Sequence, residues 1–128
     1  MNSVTLKPEI KELYKLNEFI SNILPEKNLN VDLIVEEIFV NIVNYSKTEF
    51  ITVSAENVDS KLIIEFIDNG IEFNPLLIES PKPVTDIEDA QIGGLGIFLT
   101  KEMTDEIDYN YMNGENHLKI VKQVQNEV

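Results

Sequence analysis

Ile64-Glu65-Phe66-Ile67-Asp68-Asn69-Gly70 is an alternating strand that runs straight into an acid, an amide and a glycine. Apolar residues at every second position turn one face of that strand toward a core, and the polar tripeptide ends it where the chain must turn. Asp-Asn-Gly is an ordinary tight turn in its own right. An aspartate fixed at a strand's end can also accept a hydrogen bond from the exocyclic amine of adenine, a contact that guanine, with a carbonyl there, cannot make. A second glycine cluster, Gly93-Gly94-Leu95-Gly96, leads into Ile97-Phe98-Leu99. Four of the five glycines therefore lie in two short segments, where backbone needs positive φ or approaches something closely. Bare amides converging at a helix N-terminus make a seat for an anion, although the segment lacks the Gly-Lys-Ser/Thr of a P-loop and does not follow directly on a strand.

Outward from this strand, Phe50 to Glu56 and Lys61 to Ile67 read as a hairpin joined by Asn57-Val58-Asp59-Ser60. Ile107 to Met112 and Leu118 to Val124 read as another, around Asn113-Gly114. Val4 to Leu6 suggests a short first strand. Pro8 is placed to open a helix in which Ile10, Leu13, Tyr14, Leu16, Ile20, Ile23 and Leu24 recur at helical spacing until Pro25. A second helix is expected from about Val31 to about Lys47 and a third from Gly94 or Leu95 to about Met103. Asn69 to Ile92 forms a long, acidic, proline-bearing loop that suits a lid. Helices beside neighbouring antiparallel strands predict one α+β domain, a two-layer α/β sandwich whose mostly antiparallel sheet is covered by three helices on one face.

The second helix carries an unusual stripe. At about 100° per residue, Val31, Ile34, Val35, Ile38, Phe39, Ile42 and Val43 spread over more than half of its circumference. Glu37, Asn41 and Asn44 align on one narrow strip between them. A carboxylate and amides in such a setting need partners, because leaving them unpaired costs a few kcal/mol. They can bond neighbouring backbone or face water at the helix edge. Alternatively, a carboxylate and an amide oxygen one turn apart are close enough to share one Mg²⁺ with its waters. Glu36, about 100° away, reads as a solvated surface charge.

The chain has 128 residues, with 43% hydrophobic and 26% charged, enough for a single core. Twenty-three acids against ten bases give a formal net charge of −13, which disfavours nucleic acid and anionic membrane as partners. All ten bases are lysines, so no arginine finger is available in cis. There is no cysteine, and the N-terminal residues lack a signal-peptide core, which together read as cytoplasmic. His117 is the single histidine and reads as a strand surface position rather than a ligand; Tyr109 and Tyr111 alternate on one strand and are expected to pair across the sheet.

Glu37-Ile38-Phe39-Val40-Asn41, then Asp68 through Pro75, then Gly93 through Leu99 resemble, in order, the N box and two glycine boxes of the gyrase and histidine-kinase type (GHKL) ATPase superfamily. Phe73-Asn74-Pro75, the short lid and Met103-Thr104-Asp105-Glu106-Ile107 are similar to its anti-sigma factor branch, whose members are serine/threonine protein kinases. The resemblance spans roughly residues 30 to 123 and implies the Bergerat-type ATP-binding fold. It implies ATP and Mg²⁺ as cofactors, Glu37 as general base, Asn41 as the Mg²⁺ ligand, and Asp68 as the adenine contact with Gly70 allowing close approach. Gly93, Gly94 and Gly96, with the amides of Leu95 and Ile97, would cradle the phosphates. The partners it implies are a sigma factor and a small anti-anti-sigma protein that supplies the phosphorylated serine, with neither nucleic acid nor membrane, and it suggests a homodimer. Glu72 stands where many relatives have a second glycine, and Asn74 where aspartate is frequent. Charge on the γ-phosphate would have to be met by Mg²⁺, backbone amides and a lysine such as Lys82 or Lys101, or by the partner, so turnover is expected to be slow. A binding module that uses nucleotide only to choose its conformation is the other reading of the same motifs.

Overall fold

The computed structural model describes residues 1–74 and 104–124. Strands Asn2–Leu6 (β1), Ile51–Val58 (β2), Lys61–Asp68 (β3), Glu106–Met112 (β4) and Glu115–Gln123 (β5) form one sheet in the order β1-β2-β3-β5-β4, every pairing antiparallel. A 3-10 turn, Ile10–Glu12, leads into helix α1 (Leu13–Ile23), and helix α2 (Leu29–Tyr45) follows. The third expected helix lies outside the described residues. Among the described residues, no helix is long and apolar enough to cross a membrane.

Register explains why one face of the sheet is covered. Val53 stands opposite Phe66, and Phe66 opposite Leu118; Ala55 stands opposite Ile64, and Ile64 opposite Ile120. These rows are buried together with Leu16 and Ile20 of α1 and with Ile34, Val35, Ile38, Phe39 and Ile42 of α2. Each such aliphatic or aromatic side chain contributes roughly 1.5–3 kcal/mol when removed from water. The opposite face carries Thr52, Ser54, Glu65, His117 and Lys119, as the period of two requires. The result is the two-layer α+β sandwich, with both described helices on the apolar side.

Local chemistry sets the boundaries. Helix α2 starts earlier than its apolar periodicity alone implies, because the Asn28 side chain accepts the Val31 amide at 3.0 Å and caps the first turn. Helix α1 stops at Leu24, whose extended backbone is what a residue before Pro25 adopts. Both hairpins turn on two residues with positive φ, Asp59 (52°) and Ser60 (64°) in one, Asn113 (54°) and Gly114 (78°) in the other. Such turns match the twist of the flanking strands, so pairing resumes at once and β5 begins at Glu115 rather than Leu118.

The end of β3 is fastened to the chain that leaves α2. Ser46 donates to the Asp68 carboxylate, Ile71 N donates to Ser46 O at 2.8 Å, and Glu49 N donates to Asn69 Oδ1 at 3.0 Å. Asn69 N donates to Thr48 Oγ1 at 3.0 Å. Gly70 is the point of closest approach: a Cβ there would collide with both the hydroxyl and the carbonyl of Ser46. Its need for glycine comes from this contact, since its φ is not positive.

Two glycines therefore fail for different reasons when replaced. Gly70→Ala should lower the free energy of unfolding by at least about 1–3 kcal/mol through overpacking against backbone that cannot yield. Gly114→Ala meets open space and should cost only the left-handed backbone preference, about 1–2 kcal/mol. Urea midpoints of the two variants check this: the Gly70 variant must be the less stable, and equal or reversed losses would contradict the packing account.

Candidate functional site

Between α2 and the sheet lies a narrow, open-mouthed cleft. Ile38, Asn41 and Ile42 of α2 form one wall. Phe66 and Asp68 of β3, Asn116 and Leu118 of β5, and Tyr109 of β4 form the other, and Phe73 closes one side. The cleft is mostly hydrocarbon with a few polar groups aimed into it, which is the composition of a small-molecule site.

Asp68 is 3% exposed. A buried carboxylate needs donors, and three converge on one of its oxygens: Ser46 Oγ, Gly70 N at 2.9 Å and Asn116 Nδ2 at 2.9 Å all donate to Oδ1. Among the described residues nothing donates to Oδ2. Among the described residues the carboxylate thus keeps one unpaired acceptor, and its other oxygen fixes its orientation beside the cleft's apolar walls.

Asn41 is 1% exposed. Its Nδ2 donates to the Glu37 carbonyl at 2.7 Å, one turn back along α2. That bond fixes which end of the amide is oxygen. Among the described residues Oδ1 has no partner at all. The backbone contact anticipated for such a residue is therefore present, and it uses only half of the amide. An orphaned buried oxygen costs roughly 1–3 kcal/mol, so its retention beside the cleft fits a site for an electropositive ligand. A single neutral oxygen suits Mg²⁺, which keeps several waters and takes its remaining ligands from phosphates.

Glu37 does not line the cleft. It is half-buried one turn before Asn41, and its carboxylate makes no hydrogen bond among the described residues. Burial, with a smaller contribution from the charge of Glu36, holds its carboxyl above the usual carboxylate range. Glu36 itself is exposed, as its place on the helix implies. Asn44, at the far end of the stripe, is exposed as well. Gly93, Gly94, Leu95, Gly96 and Ile97, the lid beyond Asn74, Lys82 and Lys101 lie outside the described residues.

Other polar residues here escape a reading by motif. Asn116 occupies an inward position of β5, ahead of Leu118 and Ile120, and an amide in that apolar alternation is the signal that could have found it. Tyr109 does more than pair across the sheet: its hydroxyl donates to Asn116 Oδ1 at 2.5 Å. Burial pushes its phenol above the usual value, so it remains a donor at neutral pH. Tyr45 is 42% exposed and its ring sits 5.7 Å from that of Phe73, extending the cleft's aromatic edge. His117 lies on the other face of β5, with Glu65 at 3.9 Å and Glu115 at 3.5 Å. The strand position matches the sequence reading, but the acids beside it come from register and from the hairpin.

A family model described as the histidine kinase-like ATPase domain matches residues 11–122. No curated protein matches. Among solved structures, the Acinetobacter baumannii histidine kinase AdeS superposes with a TM-score of 0.54 at 16% identity, over 98% of this chain and 69% of that one. The histidine kinase domain from Erythrobacter litoralis EL346 blue-light activated histidine kinase gives 0.51 at 10% identity, over 90% of this chain and 60% of that one. At such identities the likeness is one of fold. The family match covers both strands and helices that build the cleft, and the chain belongs to the histidine kinase-like ATPase domain family.

Proposed function

We propose that this domain binds Mg-ATP in the cleft and transfers its γ-phosphoryl group to a serine or threonine of a small anti-anti-sigma-type protein in the cytoplasm, sequestering a sigma factor when that partner does not engage it. The observation that carries the nucleotide assignment is that Asp68 and Asn41 both line one apolar cleft and each keeps a side-chain oxygen, Oδ2 and Oδ1, without a donor among the described residues. Asp68 would receive the exocyclic amine of adenine. Asn41 would hold Mg²⁺, which would supply positive charge to offset the charge that develops on the phosphates. Glu37 would orient the attacking hydroxyl and take its proton, a task suited to a carboxylate whose desolvation keeps it basic. The serine/threonine acceptor, the sigma factor and a homodimeric state rest on the motif resemblance.

A module that binds nucleotide without phosphoryl transfer is the second reading, favoured by the absence of any arginine. Calorimetry with Mg-ATP should show binding and Mg-GTP should show much weaker binding; equal affinities would remove Asp68 from base recognition. Glu37→Ala should leave nucleotide affinity within about tenfold while transfer to a partner serine falls by roughly two or more orders of magnitude. If wild-type protein transfers no phosphoryl group to any acceptor, the second reading stands instead.

The pH dependence has a definite sign. Protonated Glu37 cannot accept a proton, so the transfer rate should fall as pH drops through its pKa, and the raised value places that limb above the ordinary carboxylate range. Glu36→Gln removes the secondary charge contribution and should move the limb to lower pH; a limb that does not respond belongs to another group. Asn41→Leu removes an unsatisfied oxygen and should stabilise the ligand-free protein by about 1 kcal/mol while abolishing the Mg²⁺-dependent part of ATP binding. A thermal melt and a titration with and without Mg²⁺ check both halves, and a destabilised variant that retains Mg²⁺-dependent binding would refute the assignment.

A further inference from the structure

Asn116 uses every hydrogen bond an amide can make. Its Nδ2 donates to Asp68 Oδ1 at 2.9 Å and to Ile71 O at 2.8 Å. Its Oδ1 accepts from Phe73 N at 2.9 Å and from the Tyr109 hydroxyl at 2.5 Å. Two N–H groups and one oxygen with two lone pairs are thereby saturated, and the side chain is 4% exposed. Turning the amide over would set its oxygen against a carboxylate and a carbonyl, and its N–H groups against two donors, so only one orientation is compatible with these partners.

Saturation means that Asn116 has nothing left to offer a ligand. Its four partners come from β3, from the loop after β3 and from β4, and one is the oxygen of Asp68 that faces away from the free acceptor. We propose that Asn116 is a positioning residue that sets the purine selectivity of this cleft: it holds Asp68 with Oδ2 aimed as a pure acceptor, and it holds Phe73 as the adjoining wall. This rests on the nucleotide reading of the cleft and goes beyond it by assigning the choice between 6-amino and 6-oxo purines to a residue that touches neither. An acceptor locked in place attracts the amine of adenine and repels a carbonyl at the same position. A carboxylate released from its amide can turn, or carry a proton, and so tolerate the carbonyl.

Asn116→Asp tests this with little change in volume. The new carboxylate keeps an acceptor for Phe73 N and Tyr109 but replaces a donor with a like charge beside Asp68. Among the described residues, the titratable groups facing this position are Asp68 from β3, Tyr109 and its neighbour Tyr111 from β4 and, acting on Tyr109, Glu72 from the loop. At neutral pH the variant should bind ATP about tenfold or more weakly, with the ATP-to-ITP affinity ratio moving toward one. Lowering the pH should restore ATP affinity relative to wild type, because one proton held between two adjacent carboxylates reinstates the missing donor. Tyr109→Phe supplies a second variant that retains the ring and frees one bond of the clamp. It should lower the ATP-to-ITP ratio about three- to tenfold.

Calorimetric titrations of wild type and both variants with ATP and ITP, each variant checked for folding by circular dichroism, decide the matter. If wild type prefers ATP and either folded variant keeps the wild-type ratio, the positioning role is overturned while the nucleotide reading survives. If wild type binds neither nucleotide, that reading fails and takes this inference with it.

Discussion

The arrangement depends on one buried carboxylate oxygen. Asp68 Oδ1 gathers a hydroxyl from the end of α2, a backbone amide two residues ahead and a side-chain amide from β5. Removing a carboxylate from water is strongly unfavourable unless donors replace the lost hydration, so these three elements must converge for the fold to tolerate it. The loop that leaves β3 is pinned by the same convergence, through Ser46 O on one side and the Asn116 amide on the other. Structure and candidate chemistry share one side chain that lines the cleft: Oδ1 holds the protein together, and Oδ2 has no donor among the described residues.

Helix α2 shows the tension between burial and polarity most clearly. Seven of its residues are buried, and six of them are apolar. The seventh, Asn41, spends its donor on its own helix and leaves its oxygen unsatisfied. A helix optimised for stability would carry leucine there. Retaining an amide at a cost of order 1 kcal/mol is the pattern expected where a site takes precedence over packing. Half-buried Glu37, one turn earlier, follows the same logic: its surroundings disfavour the charged form and so make the carboxylate a better base.

Much of the architecture was legible because it follows from local periodicity. Alternation marked β3, the Asn113-Gly114 pair marked one hairpin, and the apolar spread of Val31 to Val43 marked α2. Boundaries were less legible, since they turn on single side chains such as Asn28, whose cap adds the first turn of α2, and on Asp59-Ser60, which adopt positive φ without a glycine. The stripe of Glu37 and Asn41 and the Asp68-Asn69-Gly70 terminus were visible as polar residues out of place. The demand for glycine at position 70 was visible too, but its cause was not: the close neighbour is Ser46, 24 positions away in the chain.

The sequence by itself determined which residues were candidates, because spacing along a helix or strand fixes which side chains share a face. It could not determine that Asn116 reaches Asp68, that Tyr109 completes the clamp, or that two acidic residues flank His117. Those contacts depend on the strand order β1-β2-β3-β5-β4, which sets β5 against β3 although 46 residues separate Asp68 from Glu115. Hydrogen bonds are short-ranged and directional, so a partner distant in sequence becomes a partner only once the register of the sheet is fixed.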